Sequence, residues 1–138
     1  MGTREIPRSE WRKFFDTFSR QHEGWLTTME ITGSDVGDQI EANELPLEGI
    51  SADTKGSEPD AIEITVGRDA ADQVTHIIEN PSRVMFDEGG VEGDHDSMEI
   101  ESEDGERTIL QLRMAPASEQ LERGKPRRRR AGGGGSIQ

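Results

Sequence analysis

Cysteine is absent from this chain, and so is tyrosine. Without a thiol there is no disulfide, no thiolate nucleophile and no thiolate metal site, which fits a reducing compartment. Apolar residues are scarce, 30% of 138, well under the usual globular share, so the core must be small and drawn from a few dense stretches. No window approaches the ~20 apolar residues needed to cross a bilayer, and the N-terminus lacks the apolar run of a signal peptide. The expectation is a soluble, cytoplasmic protein with no membrane contact. Lysine is rare as well, three against thirteen arginines.

What is abundant is acid, and it is unevenly spread. The net charge is −13. From Pro116 onward, Arg123, Lys125, Arg127, Arg128, Arg129 and Arg130 face only Glu119 and Glu122, a net of +4 that leaves −17 on residues 1–115. A body that negative repels phosphate backbones, because nucleic-acid affinity is built mainly from neutralised phosphates. Nucleic acid is therefore excluded as a partner except through the tail. An acidic, lysine-poor surface also fits a salt-adapted protein, whose unfolding midpoint rises with salt; a midpoint indifferent to salt removes that reading.

The few rings are gathered early. SEWRKFFDTFSRQHEGW, residues 9–25, holds both tryptophans and three of the four phenylalanines. Trp11, Phe14, Phe15 and Phe18 fall at i, i+3, i+4 and i+7, one stripe of a helix running to about His22, with Arg12, Lys13, Asp16 and Arg20 opposite. Pro7 and Ser9 read as its start, the serine oxygen accepting from free amides of the first turn. Gly24 is placed to end it in a left-handed conformation. Such stripes are core more often than partner surface, and each large side chain buried stabilises by roughly 1.5–3 kcal/mol.

After Gly24 the period changes to two. In residues 25–31, Trp25, Thr27, Met29 and Ile31 share a face. Residues 39–53 are too long for one straight strand, and Pro46 and Gly49 mark a bend or bulge. A long, bent second strand is usual in small barrels. Residues 61–67 alternate with Ile62, Ile64 and Val66 inward. Residues 73–79 put Val74, His76 and Ile78 on one face and Ile77 on the other. Asn80, Pro81 and Ser82 interrupt before 83–86 resume. Residues 87–96 read as an acidic, glycine-rich loop, and Asp104-Gly105 is a strong hairpin signal between two alternating runs.

One helix followed by six or so short strands predicts a mainly β, α+β domain over residues 1–115. The expected form is a small, bent antiparallel sheet or a partly open barrel of SH3-like or Sm-like type, with the N-terminal amphipathic helix packed on it. Residues 116–138 cannot bury enough apolar surface to offset the entropy of ordering, so they read as a flexible, basic, glycine-rich tail.

Few constellations carry chemistry. Residues 49–56 (GISADTKG) only superficially resemble a phosphate loop, since Thr54 precedes Lys55 and Gly56 follows it. Asp53 and Lys55 remain candidates for orienting a ligand at a barrel rim. His22, His76 and His95 have no ligand spacing; His76, on an inward face, reads as a satisfied core histidine and, as the lesser reading, a ligand-binding one. Glu92, Asp94, His95 and Asp96 lack the ordered pattern of a calcium loop. No serine-nucleophile motif is present. No catalytic residue, metal site or cofactor is expected.

IPRSEWRKFFDTFSRQHEGW, ELPLEGISADTKG, HIIENPSRV and MEIESEDGERTILQLR, in this order over roughly residues 5–115, resemble the bacterial family called domain of unknown function 5335. The resemblance implies no activity and brings no catalytic residues with it. Three functions compete. The first is a non-enzymatic module binding a protein partner or a small ligand, with self-association into a homo-oligomer compatible with it. The second is an RNA-associated, Sm-like protein acting through Arg127, Arg128, Arg129 and Arg130. The third is a small enzyme with His76 and Asp53 as its candidates.

Overall fold

The computed structural model describes residues 2–33, 37–54, 60–89 and 95–114. Lys55 and the arginine-rich tail, with the tail's expected flexibility, lie outside the described residues. The strands are β1 (Gly2–Glu5), β2 (Leu26–Thr32), β3 (Gln39–Asp53), β4 (Ala61–Val66), β5 (Val74–Glu79), β6 (Pro81–Gly89), β7 (His95–Ser102) and β8 (Arg107–Arg113). They form one antiparallel sheet in the order β1-β6-β7-β8-β2-β3-β4-β5, which is open: β1 and β5 are its two edges. The bent sheet with a packed helix is thus the observed architecture, in its open form. No described helix is long and apolar enough to cross a membrane.

β3 produces the bend. Its first half pairs with β2 and its second half with β4. The register slips twice against β2, between Leu45 and Ala42, where Glu44 sits at φ 57°, and between Ala42 and Ile40, and once more against β4 between Leu47 and Gly49. These three slips, on either side of Pro46, add twist and fold the strand over. The curl is strong enough that His76 on β5 reaches Thr108 on β8, four strands away in the order, with 3.2 Å between Nε2 and Oγ1.

Helix α1 (Trp11–Gln21) closes this concave face. Trp11, Phe15 and Phe18 are buried and Phe14 is half-buried; they pack into a single core with Met29, Leu47, Ile62, Ile64, Met98, Ile100 and Leu110. The strands supply mainly aliphatic side chains, so the rings of one helix fill the space above them. The helix is tied down at three points. The Trp11 indole N–H donates to the Ile6 carbonyl at 2.9 Å. Ser19 Oγ donates to the Ile50 carbonyl and accepts from its N–H, at 2.9 and 2.8 Å. Arg8 pairs with Asp60.

Three local expectations differ from the structure. Ser9 caps nothing: a 3-10 turn, Arg8–Glu10, leads into α1, and neither start has a side-chain cap. Among the described residues eight strands form rather than six or so, with β1 joining the edge. Much of the expected loop 87–96 is strand, since β6 runs to Gly89 and β7 begins at His95. Backbone pairing there, Asp87 with Ser97 and Glu88 with Asp96, continues without regard to the polar side chains.

Candidate functional site

The last turn of α1 is where polar groups and rings converge. As expected, Gly24 adopts the left-handed region, at φ 86°, but it does so two residues beyond the helix's cap, His22, and does not itself cap the helix. The Gly24 N–H donates to the Leu47 carbonyl, and Leu47 N–H donates to the Trp25 carbonyl, so the turn is laced to the bend of β3. This fixes the positions of His22 and Trp25.

His22, 5% exposed, is held on every side. Its ring stacks on Phe18 at 3.8 Å and 12° and meets Trp25 edge-on at 4.4 Å. Nδ1 lies 2.9 Å from the Phe18 carbonyl, and Nε2 lies 2.5 Å from Asp96 Oδ2 at the start of β7. A carbonyl only accepts, so Nδ1 carries a proton. Nε2 meets the Asp96 carboxyl. Both nitrogens are occupied by partners within the fold.

Beside this ring lies a groove of about 370 Å³. Phe18, Trp25 and Phe86 give it aromatic walls. Phe86, on β6, packs edge-on against Phe14 at 5.4 Å and Phe18 at 5.6 Å. Arg4 on β1, paired with Phe86 in the ladder, lays its guanidinium 5.7 Å from the Phe86 ring centre and 5.8 Å from that of Phe14. Such contacts stabilise by roughly 0.5–1 kcal/mol at exposed sites. Thr17 and Gln21 from the helix, and Glu88 and Asp96 from β6 and β7, add polar groups. The result is an aromatic slot with a cation, carboxylates, a hydroxyl and an amide at its edges. Its one hydroxyl, Thr17, has no imidazole base within the constellation, because both His22 nitrogens are engaged.

The residues singled out by sequence lie elsewhere. His76 is half-buried on the inner face of β5, and its partner Thr108 is buried. Burial pushes its pKa below the ordinary 6.5, against the pull of Glu41 and Glu106 in the other direction. Asp53 ends β3 opposite Ala61, which in turn faces Glu79. His76 belongs to the row Ile50, Ile64, His76 three positions along. An odd offset puts Asp53 on the outer face and His76 on the inner one, so the structure does not bring the two together. A second, wider depression of about 470 Å³ lies between Arg12, Lys13 and Asp16 of α1 and Ile50 to Ala52 of β3. It has no ring and no converging buried polar group. Among the described residues, no cluster of three or more His, Asp or Glu side chains is gathered for a metal ion.

Spacing missed His22, Asp96, Trp25 and Arg4. One signal was available: Trp11, Phe15, Phe18 and His22 continue the buried stripe at i, i+4, i+7 and i+11. Nothing comparable pointed to Asp96, 74 residues away in the chain.

The fold and groove define an open antiparallel β domain closed by one N-terminal helix, with an aromatic slot where the helix ends. The chain belongs to the Family of unknown function (DUF5335), which it matches over residues 2–121. It is similar to an uncharacterized protein of Aquifex aeolicus (strain VF5), 31% identical over 115 residues that cover 83% of this chain and 96% of that one. No solved structure matches it significantly.

Proposed function

We propose that this protein is a non-enzymatic binding module whose groove at the end of α1 takes a small ligand with an apolar, planar body and polar ends. The observation that carries this reading is the engagement of both His22 nitrogens beside an otherwise open aromatic slot. A ring fixed in that way shapes a wall and does not move protons. Half-buried Trp25 offers a ring surface for stacking, with buried Phe86 forming the floor behind it, while Arg4, Gln21, Thr17 and Glu88 supply the few oriented polar groups that ligand sites use for specificity.

The test is a fragment screen of small aromatic acids and amides, read by amide and indole NMR shifts on the full chain. Hits are expected to perturb Thr17, Gln21 and the Trp25 indole together. Thr17→Trp, which fills the slot from the exposed side of the helix, should weaken those hits at least about tenfold, or 1.4 kcal/mol. Hits that map elsewhere, or that bind the Thr17→Trp variant equally well, contradict the reading. An RNA-associated role has only the arginine-rich tail in its favour, against a body of net negative charge.

A further inference from the structure

The two edges of the open sheet are built differently. β1 is four residues long, and Arg4 and Glu5 interrupt it with charge. β5 is six residues, VTHIIE, paired with β4 in six consecutive pairs without a bulge. No described strand pairs with its other side, so every second residue there aims an N–H and a C=O away from β4. Proteins blunt such edges with lysine, proline, bulges or covering segments. β5 has no lysine or arginine, no proline and no register slip, and its one carboxylate, Glu79, stands at the end. Ile77, midway along its outer face, is 56% exposed.

Both ends of β5 are also pinned. Before it, a 3-10 turn, Ala70–Asp72, is closed by a reciprocal capping box between Asp69 and Asp72, which Arg68 reinforces. Gly67, at φ 137°, packs so closely that a Cβ would stand 2.6 Å from the Gln73 Cα. After it, Asn80, at φ 54°, donates its N–H to the Asp60 carbonyl and accepts from the Glu103 N–H. A strand held at both ends presents its edge with little ordering left to lose on binding.

We infer that the free edge of β5 pairs antiparallel with the same edge of a second copy of this chain, joining two open sheets about a two-fold axis through Ile77. Residues opposite one another in an antiparallel pair share a face, so the axis must pass through a residue. Centred on Ile77, the two exposed isoleucines meet on the outer face. Thr75 then faces Glu79 of the other copy, a hydroxyl beside a carboxylate, and Ile78 faces His76. The two Glu79 carboxylates stay four residues apart along the strand direction, about 13 Å, beyond the ~8 Å screening length at physiological salt. The pairing is therefore free of a like-charge clash at its centre. Backbone pairing of six residues is a small interface, which makes this a weak, concentration-dependent dimer.

Sedimentation of the full chain over a wide concentration range tests this at low and at high salt. The mass should rise from 15.3 kDa toward the dimer with concentration, and more readily in high salt, because salt screens the repulsion between two acidic bodies. Ile77→Lys should remain monomeric throughout, whereas Ile40→Lys, at the other strongly exposed isoleucine, should dimerise like the parent. Amide exchange along β5 should slow with concentration in the parent alone. A parent that stays monomeric, a dimer that survives Ile77→Lys with unchanged β5 exchange, or association that salt abolishes would overturn the inference. The last of these would point to the arginine tail on an acidic body instead.

Discussion

His22 and His76 are both withdrawn from solvent, yet they are held in contrary ways. His22 has an acceptor at each nitrogen and a ring on two sides. His76 has one threonine hydroxyl at Nε2, with carboxylates near enough to act only through their field. The first is a strut between the end of α1 and the start of β7. The second is a half-buried side chain that the fold tolerates in its neutral form. Burial alone does not distinguish a structural pair from a passive resident; the partners do.

The largest effect that sharpens this contrast is at His22. His22→Ala removes the stacked ring and leaves the Asp96 carboxylate, itself little exposed, without its partner. Breaking a buried pair on one side costs about 3 kcal/mol or more, read as a lower urea midpoint at unchanged slope. Asp96→Asn can turn its amide N–H toward a neutral Nε2, keeping a hydrogen bond without the charge, and should cost only about 1 kcal/mol. If the two variants were equally damaging, the carboxylate charge rather than the hydrogen bond would be holding the ring.

The smallest effect is at His76 and shows in pH rather than in depth. The folded protein holds this imidazole less protonated than the unfolded chain does. The unfolded state therefore takes up more protons as pH falls through 6.5, and stability drops there and recovers above it. Measured at about pH 7.5 and 5.5, the parent should lose stability relative to His76→Gln on acidification. A parent that instead gained on the variant at low pH would reverse the assignment of burial as the dominant cause.

The same contrast explains what could be read in advance. Period 3.6 places Trp11, Phe15 and Phe18 inside, and period 2 places Val74, His76 and Ile78 on one face, because both follow from local geometry. The Asp104-Gly105 hairpin and the bend around Pro46 are local too. β1 was illegible, as four residues without apolar alternation become a strand only because β6 offers them a ladder. Strand through the acidic run after Phe86 was masked for the same reason. The groove depends on Asp96 meeting His22 and Arg4 meeting Phe86, pairings that exist only after the sheet has curled. Which strand would be left as an edge is likewise set by the order of the sheet and not by the composition of β5.

The most direct check on His22 as a fixed wall of the groove is the nitrogen NMR of its ring in the folded protein. The account predicts a proton on Nδ1, donated to the Phe18 carbonyl, whether or not Nε2 also carries one. A ring with Nδ1 bare and the only proton on Nε2 would contradict it, leaving a free base beside Trp25 and reopening catalysis in the groove.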